Sequence, residues 1–243
     1  MLIAFLRHAS TAWNADRRMQ GHADIALDSA GRAEAATWRL PADLHERRRA
    51  DPRRELRPHG GQRRREAASL GGSYEPIEWI SSPLGRAIET ATIIGGRTPR
   101  IEPALIEMDW GEWEGARLDD LQARYGEAFA ANARRGLDFR PPGGESPRDV
   151  MTRVARWLAS LDMRGPPIVA VSHNGVLRAL LAIATGWDMT GKPPVKLQPA
   201  ALHRFAVAPG GKLDIVEWNV RLAVALNASR PARQPPAPSK ALP

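Results

Sequence analysis

Short apolar runs alternate with longer segments of helical periodicity along most of the chain. Three short, mostly apolar runs are bounded by polar or turn-forming residues, which predicts buried strands at Leu2–Leu6, Ile77–Ile80 and Ile168–Val171. A weaker strand is predicted at Ala104–Ile106. The segment His203–Trp218 has a Gly-Gly pair near its centre and is typical of a β-hairpin.

Helices are predicted in the intervals between these strands. Their ranges are Asp28–Leu40, Pro83–Ile94 with Ser82 as N-cap, Arg117–Arg135, Pro147–Leu161 and Val176–Thr185. The clearest helix start is the one in which Ser146 is the N-cap, Pro147 takes the first helical position and Asp149 completes a capping box.

This order of elements predicts a single α/β domain with a mainly parallel central sheet flanked by helices. In such folds ligands bind beyond the carboxyl ends of the strands. Residues with useful chemistry follow the predicted strand ends and are therefore expected at one edge of the sheet. They are Arg7, His8, Arg86, Glu107 and His173.

Most basic residues lie in two segments outside this pattern. Of the formal net charge of +8, residues 47–65 contribute +7 and residues 228–243 contribute +3, which leaves −2 for the rest. We expect one domain over residues 1–227, with a basic loop inserted at about residues 41–74, and a disordered tail rich in Pro and Ala at residues 228–243. The high charge therefore says little about the domain itself, and we do not expect nucleic acid as its partner.

The composition excludes several classes of protein. The absence of cysteine excludes disulfides, a thiolate nucleophile and cysteine metal sites. No apolar run is long enough to span a bilayer, and Leu2–Leu6 is too short for the core of a signal peptide, so we expect a cytoplasmic protein without a membrane partner. The histidines lack metal-ligand spacing, and we expect neither a metal nor a cofactor.

The residues expected at the sheet edge suit phosphoryl transfer. Each guanidinium can donate two hydrogen bonds to a phosphate, so Arg7 and Arg86 together favour a dianion. Positive surroundings favour the neutral form of His8, whose free nitrogen can attack phosphorus. A carboxylic acid can protonate the leaving oxygen, and Glu107 is the candidate among several nearby acids. No metal is needed if the arginines and His173 stabilise the charge.

Five motifs resemble, in order, those of the histidine phosphatase superfamily, also called the phosphoglycerate mutase-like family. They read RHASTAWN, SSPLGRAIETA, EMDWGEWEG, PPGGES and VSHNGVLRALL. The resemblance runs from about Leu2 to Gly186, and the stretch Pro41–Tyr74 has no counterpart. It implies the phosphoglycerate mutase-like fold and a phosphohistidine intermediate.

The resemblance also implies a role for each matched residue. The catalytic residues would be His8 as nucleophile, Glu107 as proton donor and His173; the phosphate-binding residues would be Arg7, Asn14, Arg86 and Asn174. Two positions depart from the family pattern. Ala9 stands where members usually have glycine, and Ser10 stands where many have glutamate.

The favoured function is a metal-independent phosphomonoester hydrolase acting on a small phosphorylated metabolite. The short segment between Gly115 and PPGGES resembles the phosphatase branch more than the mutases. One alternative is a phosphoglycerate mutase. The other is a degenerate phosphatase that binds an acidic partner or RNA through residues 47–65. The substrate and homo-oligomerisation stay open. We expect the loops Ala15–Leu27 and Trp110–Gly143 to set specificity, with the basic insert as a third candidate.

Overall fold

The computed structural model describes residues 1–41, 44 and 77–224. Nearly all of the predicted basic loop and the whole of the predicted disordered tail lie outside these residues. The proposed domain bounds therefore stay a prediction. Within the described ranges, no helix is long and apolar enough to cross a membrane.

A six-stranded sheet forms the centre of the molecule. Its strands are β1 (Leu2–Arg7), β3 (Glu78–Ser81), β4 (Arg100–Ile101), β5 (Ile168–Ser172), β6 (Ala201–Val207) and β7 (Leu213–Arg221). Their order is β4-β3-β5-β1-β6-β7. The first four strands are parallel to one another, and β6 pairs antiparallel with both β1 and β7. A separate two-stranded sheet pairs β2 (Trp38–Arg39) with β8 (Ala223–Val224). The predicted α/β fold with a mainly parallel sheet is thus confirmed.

Helices cover both faces of this sheet. They are α1 (Ala12–Ala15), α2 (Ser29–Thr37), α3 (Gly85–Gly95), α4 (Leu118–Ala133), α5 (Pro147–Ser160) and α6 (Asn174–Thr185). The predicted start of α5 is confirmed, because the Ser146 and Asp149 side chains form the reciprocal hydrogen bonds of a capping box and Pro147 is the first helical residue. Satisfying these amides stabilises a helix by about 1 kcal/mol.

The alternation of side chains along β1 and β5 creates one core on each face. On β1, Phe5 belongs to the cluster that includes α5 and α6, whereas Leu6 belongs to the cluster that includes α2 and α3. Both strands are buried on both faces, which explains their continuous apolar sequences. The edge of the sheet that carries the candidate residues is thereby held between two packed layers.

Three predicted elements differ from the structure. The helix predicted over Asp28–Leu40 ends at Thr37, and Trp38–Arg39 form β2 instead. Ala104–Ile106 is not a strand, because Pro103–Leu105 form a 3₁₀ turn in which the Glu102 carboxylate accepts a hydrogen bond from the Ala104 amide. Helix α3 begins at Gly85 rather than at Pro83, and Leu84, not Ser82, occupies the N-cap position. The Ser82 hydroxyl instead contacts the Leu84 amide and a histidine of the neighbouring strand end.

Strand β6 contains a fully buried histidine. The His203 ring lies 5.1 Å from the Trp218 ring, and its Nδ1 accepts a hydrogen bond from the Asn219 amide at 3.3 Å. Burial lowers the pKa of His203 to about 4. The fold therefore accommodates the neutral ring and resists the charged one.

We expect the protein to lose stability in acid partly through His203. The stabilisation is complete above the unfolded pKa of about 6.5 and is lost as the pH falls from there towards 4. When the pH is lowered from about 7.5 to 5, the free energy of unfolding should fall by roughly 2 kcal/mol less in His203→Gln than in the wild type. Urea denaturation at both pH values measures this difference, and equal losses in the two proteins would contradict it.

Candidate active site

The parallel pairing of β1 with β5 brings two histidines together. Arg7 lies opposite Ser172 in the strand register, and the His8 amide donates to the Ser172 carbonyl at 3.0 Å. His8 and His173 follow these residues directly, and their ring centroids lie 5.1 Å apart. His8 is 6% exposed and His173 is completely buried.

The His8 ring is held in one tautomer. Its Nδ1 lies 2.7 Å from the Ala9 carbonyl oxygen, which can only accept, so Nδ1 carries the proton and Nε2 keeps a free electron pair. Burial, together with the charges of Arg7 and Arg86, places the pKa of His8 well below its ordinary value. His8 is therefore a neutral imidazole with an available nucleophilic nitrogen.

The His173 ring is oriented by Ser82. The Ser82 oxygen lies 2.7 Å from His173 Nε2 and accepts a hydrogen bond from the Leu84 amide. Among the described residues, His173 Nε2 is the only acceptor for the Ser82 hydroxyl, so the hydroxyl donates to Nε2 and the proton of His173 lies on Nδ1. Burial lowers the pKa of His173 well below its usual value.

Arg86 is fully buried and held by backbone carbonyls. Its two terminal nitrogens donate to the carbonyls of Ala23 at 2.7 Å and Gly21 at 2.8 Å. Burial lowers the pKa of Arg86, and the nearby Glu107 and Asp24 carboxylates oppose this shift. The guanidinium is therefore fixed in place before any ligand arrives.

Three buried donors near His8 have no partner. Within the described part of the chain, Arg7 Nε, Arg86 Nε and His173 Nδ1 make no hydrogen bond. Buried donors are nearly always paired in folded proteins, so unpaired donors at one place indicate a missing acceptor. An anion with several oxygens fits this requirement.

Glu107 lies beside both arginines. Its carboxylate accepts hydrogen bonds from the Met108 amide at 2.8 Å and from the Gly175 amide at 3.0 Å. Burial lowers the pKa of Arg7, as it does that of Arg86, and the negative charge of Glu107 opposes both shifts. The approach is close, because a Cβ added at Gly175 would lie 2.3 Å from Glu107 Oε1. Glu107 follows a turn rather than a strand, yet it reaches the predicted edge.

A cavity of about 490 Å³ opens above these groups. Six of the seven predicted site residues line it, namely Arg7, His8, Asn14, Arg86, Glu107 and Asn174. His173 is the one predicted site residue outside this lining, and its ring centroid lies 5.1 Å from that of His8. The described residues contain no group of three or more histidines and acids that could hold a metal ion.

A family model described as the histidine phosphatase superfamily (branch 1) matches residues 3–42 and 45–221. This chain belongs to that superfamily. The match covers the paired histidines, both arginines and Glu107, so the predicted family is confirmed.

Curated relatives of this histidine phosphatase include both phosphatases and mutases. A glucosyl-3-phosphoglycerate phosphatase of Mycobacterium tuberculosis is 30% identical over 90% of this chain and 92% of its own. A 2,3-bisphosphoglycerate-dependent phosphoglycerate mutase of Methylobacterium radiotolerans is 29% identical over 81% of this chain and 85% of its own. The predicted phosphatase class is supported, with mutases as the named alternative.

A solved structure gives the same picture. The mycobacterial glucosyl-3-phosphoglycerate phosphatase in complex with VO3 aligns with a TM-score of 0.66 and 25% identity over 90% of this chain and 98% of that chain. The histidine phosphatase fold is therefore present across almost the whole length of the described residues.

Ala9 is compatible with the site of this histidine phosphatase. It is not among the described residues that have a positive φ angle, so its backbone does not need the freedom of glycine. Its amide donates to the Thr90 hydroxyl at 3.1 Å, and that hydroxyl donates to the Arg86 carbonyl at 2.7 Å. Alanine at this position therefore keeps the chain of hydrogen bonds that runs from the residue after His8, through Thr90, to the backbone of Arg86.

The two asparagines hold different positions. Asn14 Oδ1 accepts from the amide and the hydroxyl of Thr11, which leaves the Asn14 NH₂ group as its donor towards the cavity. Asn174 is the first residue of α6 and is exposed at the cavity wall. Both line the cavity, and their role as phosphate ligands stays a prediction.

Glu114 supports the site and escaped the sequence analysis. Its carboxylate oxygens accept from the amides of His22 and Ala23, whose loop carries the carbonyls that hold Arg86. Gly21 has φ of +51°, and a Cβ there would lie 1.9 Å from Glu114 Oε1. The acid within the EWEG motif was the available signal, but only tertiary structure shows which loop it holds.

We expect Glu114→Gln to lower kcat/KM by roughly 10-fold or more, because a neutral amide holds the loop behind Arg86 less firmly. The neighbouring Glu112 is exposed, so Glu112→Gln is a matched control and should keep wild-type activity. Hydrolysis of an aryl phosphate and thermal unfolding measure both effects. Equal activity of the two variants would contradict the role of Glu114.

Proposed function

We propose that this histidine phosphatase hydrolyses small phosphomonoesters, without a metal, through a phosphohistidine at His8 Nε2. One observation carries the proposal: a buried neutral imidazole with a free Nε2 lies among three buried donors that lack partners. A phosphoryl group placed there would accept hydrogen bonds from Arg7, Arg86 and His173.

In the first step, the electron pair of His8 Nε2 forms a bond to phosphorus while the ester oxygen leaves with the electrons of the broken P–O bond. Glu107, in its acid form, donates a proton to that oxygen, so an alcohol departs. The proton of His8 on Nδ1 stays in its hydrogen bond with the Ala9 carbonyl.

In the second step, water attacks phosphorus and the P–N bond breaks, which returns the electron pair to Nε2. The Glu107 carboxylate accepts a proton from the attacking water, and inorganic phosphate leaves. The two guanidiniums and the Nδ1–H of His173 stabilise the charge on the phosphoryl oxygens during both steps, which is the task a metal performs elsewhere.

The substrate class follows from the cavity and the relatives. A volume of about 490 Å³ suits a small metabolite rather than a macromolecule. Relatives are named for glucosyl-3-phosphoglycerate and for phosphoglycerate, so these compounds belong in the first substrate panel. Phosphate release in the presence of EDTA supports hydrolysis, whereas a mutase requires a bisphosphate primer and releases little phosphate.

The alternative of a non-catalytic binding protein depends on residues 47–65, which lie outside the described residues. The described site favours catalysis, because each chemical group needed for turnover is present at one edge of the sheet.

His8→Ala should reduce turnover by at least about 1,000-fold, because no other neutral imidazole lines the cavity among the described residues. His203→Gln changes a histidine of the same sheet away from the cavity and should keep turnover. With a phosphoramidate as donor, the wild type should rapidly form a phosphoenzyme that is labile in acid and stable in base. His8→Ala should form none. Labelling of His8→Ala at the wild-type level would refute the proposal.

Glu107→Gln should slow alkyl phosphates far more than aryl phosphates, by roughly 100-fold against less than about 10-fold. The reason is that a nitrophenolate leaves without a proton, whereas an alkoxide needs one. Comparing kcat/KM for glycerol phosphate and p-nitrophenyl phosphate measures this ratio. If both substrates are slowed equally, another group is the acid.

A further inference from the structure

Helix α6 carries a further cation into the catalytic cavity. Arg178 lies one helical turn after Asn174 and lines the cavity wall. Its guanidinium lies 4.8 Å above the centre of the Trp187 ring, and the side chain is half-buried. Burial lowers the pKa of Arg178 from its ordinary value.

Arg178 forms no salt bridge with an acid within the described residues. The Arg153 guanidinium, for comparison, donates two hydrogen bonds to the Glu145 carboxylate and further ones to backbone carbonyls. A half-buried cation without a counter-ion is unfavourable unless a ligand supplies the opposite charge. Stacking on Trp187 leaves the edge of the guanidinium free to donate in its plane.

A second, smaller pocket adjoins the catalytic cavity at this residue. It has a volume of about 140 Å³ and shares Asn174 and Arg178 with the cavity. Lys196 lies on its wall, and no acidic residue is part of its described lining. We call this space the distal pocket. Its described lining therefore carries two positive charges, those of Arg178 and Lys196, and no negative one.

We propose that Arg178 and the distal pocket bind a second anionic group, a carboxylate or a second phosphate, on the substrate whose phosphoryl group lies at His8. This inference rests on the proposed function. Asn174 and Arg178 are about 6 Å apart along the helix axis, so the two anionic groups belong to one compact molecule. Arg178 would thus select phosphorylated acids over neutral phosphomonoesters.

Three substrates of similar size test the selection. Glycerol 1-phosphate ends in a neutral hydroxymethyl group, 3-phosphoglycerate has a carboxylate there, and glycerol 1,3-bisphosphate has a phosphate. The wild type should prefer one or both anionic compounds by roughly 10-fold or more in kcat/KM, and the preferred compound identifies the anion.

Arg178→Met keeps the apolar stem on Trp187 and removes the charge. It should lower kcat/KM for the preferred anionic compound by roughly 10-fold more than for glycerol 1-phosphate, so that the preference disappears. Arg124 also lies over an aromatic ring, at 5.4 Å from the Tyr125 centroid, but is exposed and away from the cavity. Arg124→Met should therefore retain the preference. Thermal unfolding confirms that both variants are folded.

A binding measurement separates this inference from the proposed function. In the His8→Ala background, calorimetry should show tighter binding of 3-phosphoglycerate or the bisphosphate than of glycerol 1-phosphate, and Arg178→Met should remove the difference. Absence of phosphate release with this difference intact would refute only the proposed hydrolysis. Equal binding or turnover of the three compounds by the protein with Arg178 present, or equal slowing of all three by Arg178→Met, would overturn the distal anion site.

Discussion

The parallel pairing of β1 with β5 is the interaction on which the rest of the site depends. It aligns Arg7 with Ser172 and so places His8 and His173, the residues that follow, next to each other. The pairing is stable because both strands are apolar and are covered on both faces. A shift of one residue in register would move Phe5 and Leu6 into each other's core cluster, so the packing of the two cores fixes the catalytic geometry.

Positively charged side chains surround His8 and His173, and acidic side chains neutralise only part of this charge. Arg86 is held by the carbonyls of Gly21 and Ala23 rather than by a carboxylate, so its charge stays available to a ligand. The same charges, together with burial, keep His8 neutral and nucleophilic. An anionic phosphoryl group would relieve the repulsion between the arginines, so binding the substrate also restores the electrostatic balance of the site.

Acids further out hold the loops that support these cations. Glu114 binds the loop behind Arg86, and Glu145 binds Arg153, whose guanidinium also holds the carbonyl of Glu107. Much of the remaining cavity wall comes from residues 18–21 and from the segment between residues 110 and 139, and a large part of it is apolar. These segments fall within the loops expected to set specificity. That these loops set specificity stays a prediction.

The sequence by itself determined the fold class, the strong strands, the capped start of α5 and the residues that meet at the sheet edge. These features follow from local rules, since apolar runs specify buried strands and parallel strands share one edge. The prediction of a strand at Ala104–Ile106 was wrong because a run of three apolar residues is compatible with a strand and with a 3₁₀ turn. Ser82 resembled a helix cap, yet its hydroxyl binds His173, a partner 91 residues away. Only the tertiary structure decided the tautomers, the role of Glu114 and the unpaired charge of Arg178, because each depends on contacts between segments distant in sequence.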